Sequence, residues 1–369
     1  MNFVTTKKKS DDYYKTFDNK QVTKLAGFAG SNASGKTNAM RVFGFLAYMM
    51  IADNRPSGND FTPYKSYSFT PNKESSLTVE FETLKFLMSY SLVMKDREVI
   101  SEEIQFKDLK KNSRYTKLFN REKKKIYLNT KILKGVTEKK LSSIPVDVSL
   151  VAFLNANYDI AIIKEIHTYF HGFDININEE GETDDPIREL TAALNYYLKY
   201  PAIKKRMEEI IRDFNIGIKD FKFTKLEEDG SYFVEANHLV KNKVHSLSLT
   251  YESKGTRALF HQLARILRYF ETGSVLIWDE IESGLHPEAV EKIVQFISEE
   301  LNSQKKQFIF SSHSLEFMKK FDAQQIFLVD KKENSSCLFR LDELNVRPDD
   351  NYYSKYLSGA YGAFPKIRI

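Results

Sequence analysis

The sequence predicts a mixed α/β fold, in which a P-loop nucleotide-binding core carries an antiparallel β subdomain and a helical insertion. Three observations lead there. Gly30-Ser31-Asn32-Ala33-Ser34-Gly35-Lys36-Thr37 fits the phosphate-loop pattern G-x-x-x-x-G-K-[ST], with an apolar stretch before it and a helical run after it. Residues 274–280 form an apolar strand pattern that ends in two carboxylates, Asp279 and Glu280. A second such strand, 306–312, runs into His313.

Residues 3–19 are polar and basic, with Tyr13, Tyr14 and Phe17 as aromatics that could either stack on a base or pack beneath the loop. Residues 22–28 suit a buried strand. In the loop that follows, Gly30 and Gly35 let the backbone curl so that successive N–H groups point inward, and the helix expected over 38–51 adds its positive end. Lys36 brings a mobile cation to the outer phosphates of a nucleotide, and Thr37 offers a hydroxyl to Mg2+. Ser31, Asn32, Ala33, Ser34 and Asn38 complete the run expected to contact the nucleotide.

A Pro-, Gly-, Ser- and Asn-rich connection over 54–72 reads as surface loop. Residues 76–83, 85–95 and 100–106 then alternate, as in Leu77, Val79, Phe81 and in Phe86, Met88, Tyr90, Leu92, which suits an antiparallel meander with one buried face. Residues 114–128 add a hairpin element. Past Pro145, residues 146–154 read as an apolar strand, 160–173 as a helix, 176–185 as an acidic turn, and 187–214 as helix interrupted at Pro201. Residues 218–226 and 232–236 read as a hairpin around Asp229-Gly230, with extended chain over 245–249. The helix expected over 257–270 has an apolar face of Leu259, Phe260, Leu263, Ile266, Leu267 and Phe270. The expected divisions are 1–145 for the N-terminal half of the core with its β-rich arm, 146–215 for the helical insertion, and 216–369 for the C-terminal half. No heptad is sustained over several turns, which argues against a long coiled-coil arm.

Composition narrows the classes. With 369 residues, 42% hydrophobic and 28% charged, the chain is ordinary for a soluble globular protein, and no apolar run approaches the ~20 residues of a membrane span. Residues 1–12 lack the apolar segment of a secretory signal, and the single Cys337 cannot form an internal disulfide. A cytoplasmic protein without a membrane partner is expected. The net charge of +5 is unevenly spread: residues 107–140 hold 13 Lys/Arg against 3 Asp/Glu, a local +10, so the remainder sums to −5. With Phe106, Tyr115, Phe119 and Tyr127 interleaved, this stretch suits either nucleic acid or a solvated edge hairpin guarded by lysines.

A core strand has no structural use for the pair Asp279 and Glu280. Beside a phosphate loop, Asp279 would orient the Mg2+ shell and Glu280 would position or deprotonate an attacking water. His313, one strand further on, would contact the terminal phosphate and sense its loss. Upstream, Ser253 and Gly255 at a helix start read either as an ordinary Ser cap or as a second anion site.

Together these residues resemble an ABC-type ATPase head, in the order Walker A (30–37), signature (252–256), Walker B (275–280), D-loop (282–286) and switch histidine (His313). More narrowly, Glu-Ser-Lys-Gly-Thr-Arg (252–257), Asp-Glu-Ile-Glu-Ser-Gly-Leu-His-Pro (279–287) and the tail Tyr-Leu-Ser-Gly-Ala-Tyr-Gly-Ala-Phe-Pro (356–365) are similar to the AAA/ABC-like ATPases of bacterial phage-defence systems. Those include the PARIS-system ATPase and RloA-type proteins and, more distantly, OLD and Septu ATPases. The resemblance implies ATP and Mg2+ as cofactors and a dimer of heads around two ATPs. Ser253, Lys254, Gly255 and Thr256 would then act in trans, with Glu282, Ser283 and Gly284 at the same interface. Lys254 stands where the transporter pattern has glycine, so its ammonium would add a phosphate contact or reshape the turn. No Q-loop glutamine is evident, and Asn155 or Asn157 lies in its region.

The expected function is that of an ATPase whose dimer or higher oligomer senses infection, through a phage trigger protein, and controls a separate toxin or nuclease effector. The 56 residues after His313 are too few for the nuclease domain that OLD proteins carry. Alternatives are an SMC-like DNA-repair or DNA-binding ATPase that uses 107–140, and a nucleotide-gated scaffold with little turnover. The β-rich arm and the tail argue against a transporter ATPase.

Overall fold

The computed structural model describes residues 1–6, 12–16, 18–52, 72–109, 114–123, 125–177, 186–226, 232–241, 243–302, 304–347 and 349–362. Phe17, nearly all of the 54–72 connection, most of the acidic 176–185 turn, Asp229-Gly230 and residues 363–365 of the tail lie outside them.

A small antiparallel sheet opens the chain: β1 (Val4–Thr5), β2 (Tyr13–Lys15) and β3 (Gln21–Thr23), in the order β1-β3-β2. The expected 22–28 strand is thus divided. Thr23 Oγ1 donates to the carbonyl of Leu25 at 2.6 Å and breaks the extended run, so β4 (Leu25–Ala29) starts afresh with all five residues buried. Helix α1 (Lys36–Ile51) follows the loop. Its Met40 packs on the core sheet, whereas Phe45, Leu46, Met49 and Met50 join the apolar cluster of the β subdomain, so this one helix couples both cores.

The meander forms as expected, with β5 (Ser75–Glu82), β6 (Phe86–Lys95), β7 (Glu98–Asp108), β8 (Thr116–Glu122) and β9 (Lys125–Leu128) in sequential antiparallel order. Alternate side chains of β6, namely Met88, Tyr90, Leu92 and Met94, are buried, as period-two patterning requires. After α2 (Glu138–Leu141) comes a correction: the expected strand over 146–154 is instead a helix, α3 (Leu150–Asn157). Ser149 Oγ accepts the Ala152 N–H at 3.1 Å, and Glu102 of β7 accepts that of Leu150 at 2.8 Å. A short apolar run looks the same in a buried strand and a buried helix, and here the cap decides.

Next come α4 (Ala161–His171), β10 (Phe173–Ile175), α5 (Pro186–Lys199) and α6 (Pro201–Asp213), where Pro201 opens a new helix. A second three-stranded antiparallel sheet follows, β11 (Ile218–Lys225), β12 (Tyr232–Val240) and β13 (Lys243–Ser248). The chain then returns to the core through α7 (Lys254–Thr272), β14 (Val275–Trp278), α8 (Pro287–Leu301), β15 (Gln307–Ser311), β16 (Ile326–Lys332), β17 (Ser335–Arg340) and α9 (Tyr352–Leu357). The core sheet has the order β10-β14-β15-β4-β16-β17, parallel except for β17. α7 lays Leu263 and Ile266, both fully buried, into the large cluster on one face of that sheet; either side chain cut to Ala costs ~2–5 kcal/mol.

Candidate nucleotide-binding site

Ligands of open parallel sheets sit beyond the carboxyl ends of the strands. Here β14, β15 and β4 are neighbours in register, Trp278 beside Phe310 and Ser311 beside Phe28. Their ends therefore bring residues 30–37, 279–280 and 311–313 together.

The loop after β4 is shaped by its glycines. Gly35 has φ 106°, and a Cβ there would meet the Ser336 hydroxyl of β17; a Cβ on Gly30 would meet the Val329 carbonyl and the Ser34 hydroxyl. Ser336 Oγ also donates to the Ser34 carbonyl at 2.7 Å, so the β16–β17 hairpin braces the loop. α1 begins at Gly35 with no side-chain cap and no acidic residue in its first turn. Its first N–H groups and the helix dipole form an anion site. Lys36 Nζ lies across the loop, donating to the carbonyls of Gly30 at 2.9 Å and Ser31 at 3.3 Å. Burial pushes its pKa down, opposed by the charges of Asp279, Glu280 and Glu282.

Thr37 Oγ1 donates to Asp279 Oδ2 at 2.6 Å, and Ser311 Oγ donates to Asp279 Oδ1. Asp279 is buried, while Glu280 is 44% exposed in its side chain and reaches His313 Nε2 at 3.3 Å. Glu280 has φ 51°, a left-handed conformation that non-glycine residues adopt at a cost of ~1–3 kcal/mol when the surroundings impose it. Ser311 Oγ imposes it in part by accepting the Glu280 N–H at 2.9 Å. His313 Nδ1 lies 3.5 Å from Lys36 Nζ, so the ring bridges the loop lysine and Glu280, and the tautomer with its proton on Nε2 satisfies both contacts.

A model of the family described as "AAA domain, putative AbiEii toxin, Type IV TA system" matches residues 25–319. The chain belongs to this family. No curated protein matches it in sequence. Among solved structures it is similar to the SMC head bound to the C-winged helix domain of ScpA, with 14% identity, a TM-score of 0.48, and 88% of this chain and 93% of that one covered. It is also similar to the Smc head with an extended coiled coil bound to the C-terminal domain of ScpA derived from Pyrococcus furiosus (12%, TM-score 0.40, 92% and 94%) and to the SMC head domain from Thermotoga maritima (14%, 0.39, 90% and 98%).

In this AAA-domain chain the remaining expected site residues lie elsewhere. Ser253 and Lys254 are exposed at the start of α7, and no hydrogen bond or ion pair joins 253–256 to 30–37 among the described residues. Ser253 Oγ accepts the Thr256 N–H at 3.1 Å, and the two hydroxyls are 2.9 Å apart. Gly284, with φ 75°, packs against the Lys254 stem and Ala258, so 253–256 and 282–284 form one surface. Glu282 Oε1 accepts the His313 N–H, and Gln262 reaches the Ser283 carbonyl at 3.4 Å. In the first turn of α1, Asn38 accepts from Arg41 at 3.1 Å, and in the loop Ala33 takes a positive φ of 59°.

Three contributors escaped the sequence reading. Asn176, just past β10, clamps the Asp279 backbone by donating to its carbonyl at 2.8 Å and accepting its N–H at 2.7 Å. Ser311 holds Asp279 and Glu280, and Ser336 braces the loop. Only Ser311, two residues before His313, left a sequence signal. Of the proposed Q-loop residues, Asn157 donates to Phe153 within its own helix at 2.8 Å. Tyr13 donates to Asp322 at 2.9 Å, and Phe3 packs on Phe327 with ring centroids 5.3 Å apart.

The basic stretch is partly structural. Arg121 is buried and donates to the Val148 carbonyl at 2.8 Å, Lys117 pairs with Glu103 at 2.6 Å, and Phe106 and Phe119 lie in the core. Lys123, Lys125, Lys131, Lys134, Lys139 and Lys140 remain exposed. No described helix is long and apolar enough to cross a membrane.

Proposed function

We propose that this chain binds and slowly hydrolyses ATP as a homodimer or higher homo-oligomer and thereby controls a separate toxin or nuclease effector in anti-phage defence. The observation that carries the ATPase reading is the convergence of Lys36, Thr37, Asp279, Glu280 and His313 at the ends of three adjacent strands. Thr37 and Asp279 present a hydroxyl and a carboxylate 2.6 Å apart, the hard-oxygen donor set that Mg2+ takes from a protein when phosphates and waters complete its octahedron. Once bound, Mg2+ would neutralise charge on the outer phosphates. Lys36 exchanges the loop carbonyls for phosphate oxygens. Glu280 aligns the attacking water and accepts its proton, while His313 holds Glu280 and reports the terminal phosphate.

The site is completed by residues 253–256 of a second copy, whose exposed hydroxyl and helix start face the terminal phosphate. Support for a toxin–antitoxin setting is the family description, which couples an AAA domain with an AbiEii toxin and a type IV toxin–antitoxin system. Turnover per chain, measured against protein concentration, rises as pairs form; a rate per chain independent of concentration down to nanomolar overturns the two-copy site. The exposed lysines of 123–140 favour a second reading as a DNA-binding head. A salt-dependent mobility shift, lost on neutralising Lys123 and Lys125, would favour it.

A further inference from the structure

Two features outside the nucleotide site complement each other in charge and in polarity. The first is the tip of the β12–β13 hairpin. Leu239, Val240 and Val244 are half exposed or more there, with Leu239 opposite Val244 and Val240 opposite Lys243 in the register. Lys241 and Lys243 are exposed beside them, and residues 236–249 contain no carboxylate side chain. Below the tip the hairpin is fixed: His238 Nε2 lies 2.6 Å from Glu252 Oε1, and Asn237 donates to Asp220 at 2.6 Å. An apolar cluster held out into solvent with a rim of charge marks an interaction site.

The second is a cavity of about 330 Å³ behind the His313 turn. Phe310, Phe317 and Phe321 give it an apolar wall, and four carboxylates, Asp12, Glu291, Glu299 and Glu316, line it against one ammonium, Lys320. Lys320 pairs with Glu291 and Lys319 with Glu316, whereas Asp12 accepts from Ser298 at 3.1 Å and Glu299 from Gln295 at 2.9 Å, both neutral donors. This lining favours an apolar group that brings positive charge with it. The volume, at the low end of the ~300–1,000 Å³ of ligand pockets, suits a few aliphatic side chains.

We infer that the hairpin tip of one copy of this chain docks in the cavity of a second copy, with Leu239, Val240 and Val244 against the phenylalanines and Lys241 and Lys243 against the acidic rim. The tip side chains are exposed in their own chain, so the cavity that takes them belongs to another copy. Tip and cavity are different surfaces, so the contact runs head to tail and closes as a reciprocal pair or as a ring. It rests on the homo-oligomer proposed above for the presence of several copies, but it forms without nucleotide.

The test uses the full chain without nucleotide, with p-benzoylphenylalanine in place of Val240 and equal amounts of unlabelled and heavy-isotope-labelled protein. Photo-cross-linking should join two copies, light to heavy, with the attachment mapped by mass spectrometry to α8 or to residues 310–321. Lys241→Glu with Lys243→Glu should lower that yield about tenfold or more, and so should Glu291→Lys with Glu299→Lys. All four substitutions in one chain reverse both partners and should restore it. The four side chains are exposed, so the variants keep their fold, which circular dichroism verifies. An attachment within one chain, an attachment elsewhere, no cross-link, or charge reversal without rescue overturns the inference. The readout needs no ATP turnover: a chain that cross-links as expected but does not hydrolyse ATP counts against the ATPase reading alone, and the converse counts against this contact alone.

Discussion

α1 begins after Gly35 with Lys-Thr and α7 begins after Ser253 with Lys-Gly-Thr, yet the two treat their first N–H groups in opposite ways. α1 starts from Gly35 with no side-chain cap, and its loop is held open by Gly30, Gly35 and Ser336. α7 starts from Ser253, whose hydroxyl already accepts the Thr256 N–H. An uncapped helix start leaves its first N–H groups open to an anion, whereas a side-chain cap already takes one of them. On the proposed reading, one end holds phosphate on this chain alone, and the other serves a second copy. Binding should need one chain, and chemistry should need two.

The largest effect expected is on chemistry at the α1 end. Glu280→Gln removes the proposed proton acceptor but leaves the loop, Thr37 and Asp279 in place. Steady-state turnover should fall ~10²–10⁴-fold, while binding of a fluorescent ATP analogue stays within a factor of two or so. Ordinary hydrolysis by this variant would remove Glu280 from its assigned role. Next is Lys36→Ala, which deletes charge-assisted bonds of ~1.5–3 kcal/mol and should weaken nucleotide binding ~10²-fold in a direct titration. Unchanged affinity would mean that α1 is not the anion site the comparison makes it.

How much of this was legible in the sequence follows from what each feature depends on. The phosphate loop, Asp279-Glu280, His313 and the β6 alternation depend on local spacing; the structure brings the first three together and buries one face of β6. α3 was not legible as a helix, because Leu150, Val151, Ala152 and Leu154 are all buried and an all-apolar run has no face. β10 is three residues long, below the length at which periodicity speaks, so the Asn176 clamp on Asp279 stayed hidden with it. The Ser336 brace comes from a hairpin some 300 residues away in sequence.

α3 carries a serine cap like that of α7, Ser149 accepting from Ala152, and adds a second acceptor at its start. There a carboxylate from a neighbouring strand, Glu102, takes the place that phosphate would take at α1, accepting from Leu150 and from Tyr90 Oη at 3.2 Å. Burial pushes the Glu102 carboxyl up from 4.5 to about 7, against the pull of the backbone N–H groups and Arg121. Between those values the folded state holds a proton that the unfolded state has lost, so its contribution to stability is full below pH ~4.5 and declines until the folded pKa is passed. Relative to Glu102→Gln, which does not titrate, wild-type stability from urea unfolding should decline by at most ~1.4 kcal/mol per pH unit from pH 5 to 7 and level off above pH 8. Parallel profiles for the two proteins would show that Glu102 does not titrate in this range.

The smallest single effect decides the comparison itself. Ser253→Ala loses an exposed helix cap, which costs ~1 kcal/mol of stability, and one hydroxyl donor at the second half of the site. Nucleotide affinity of the separate chain should not change, because Ser253 makes no contact with residues 30–37 of its own chain among the described residues. Turnover should fall roughly tenfold. Mixing then distinguishes cis from trans. Combined in equal amounts, Lys36→Ala and Ser253→Ala chains form mixed pairs in which the intact loop of one faces the intact Ser253 of the other. Random pairing predicts recovery to about a quarter of wild-type turnover, well above the mean of the two variants measured apart. If the mixture gives only that mean, α7 serves its own chain or none, and its self-capped start is a helix end like any other.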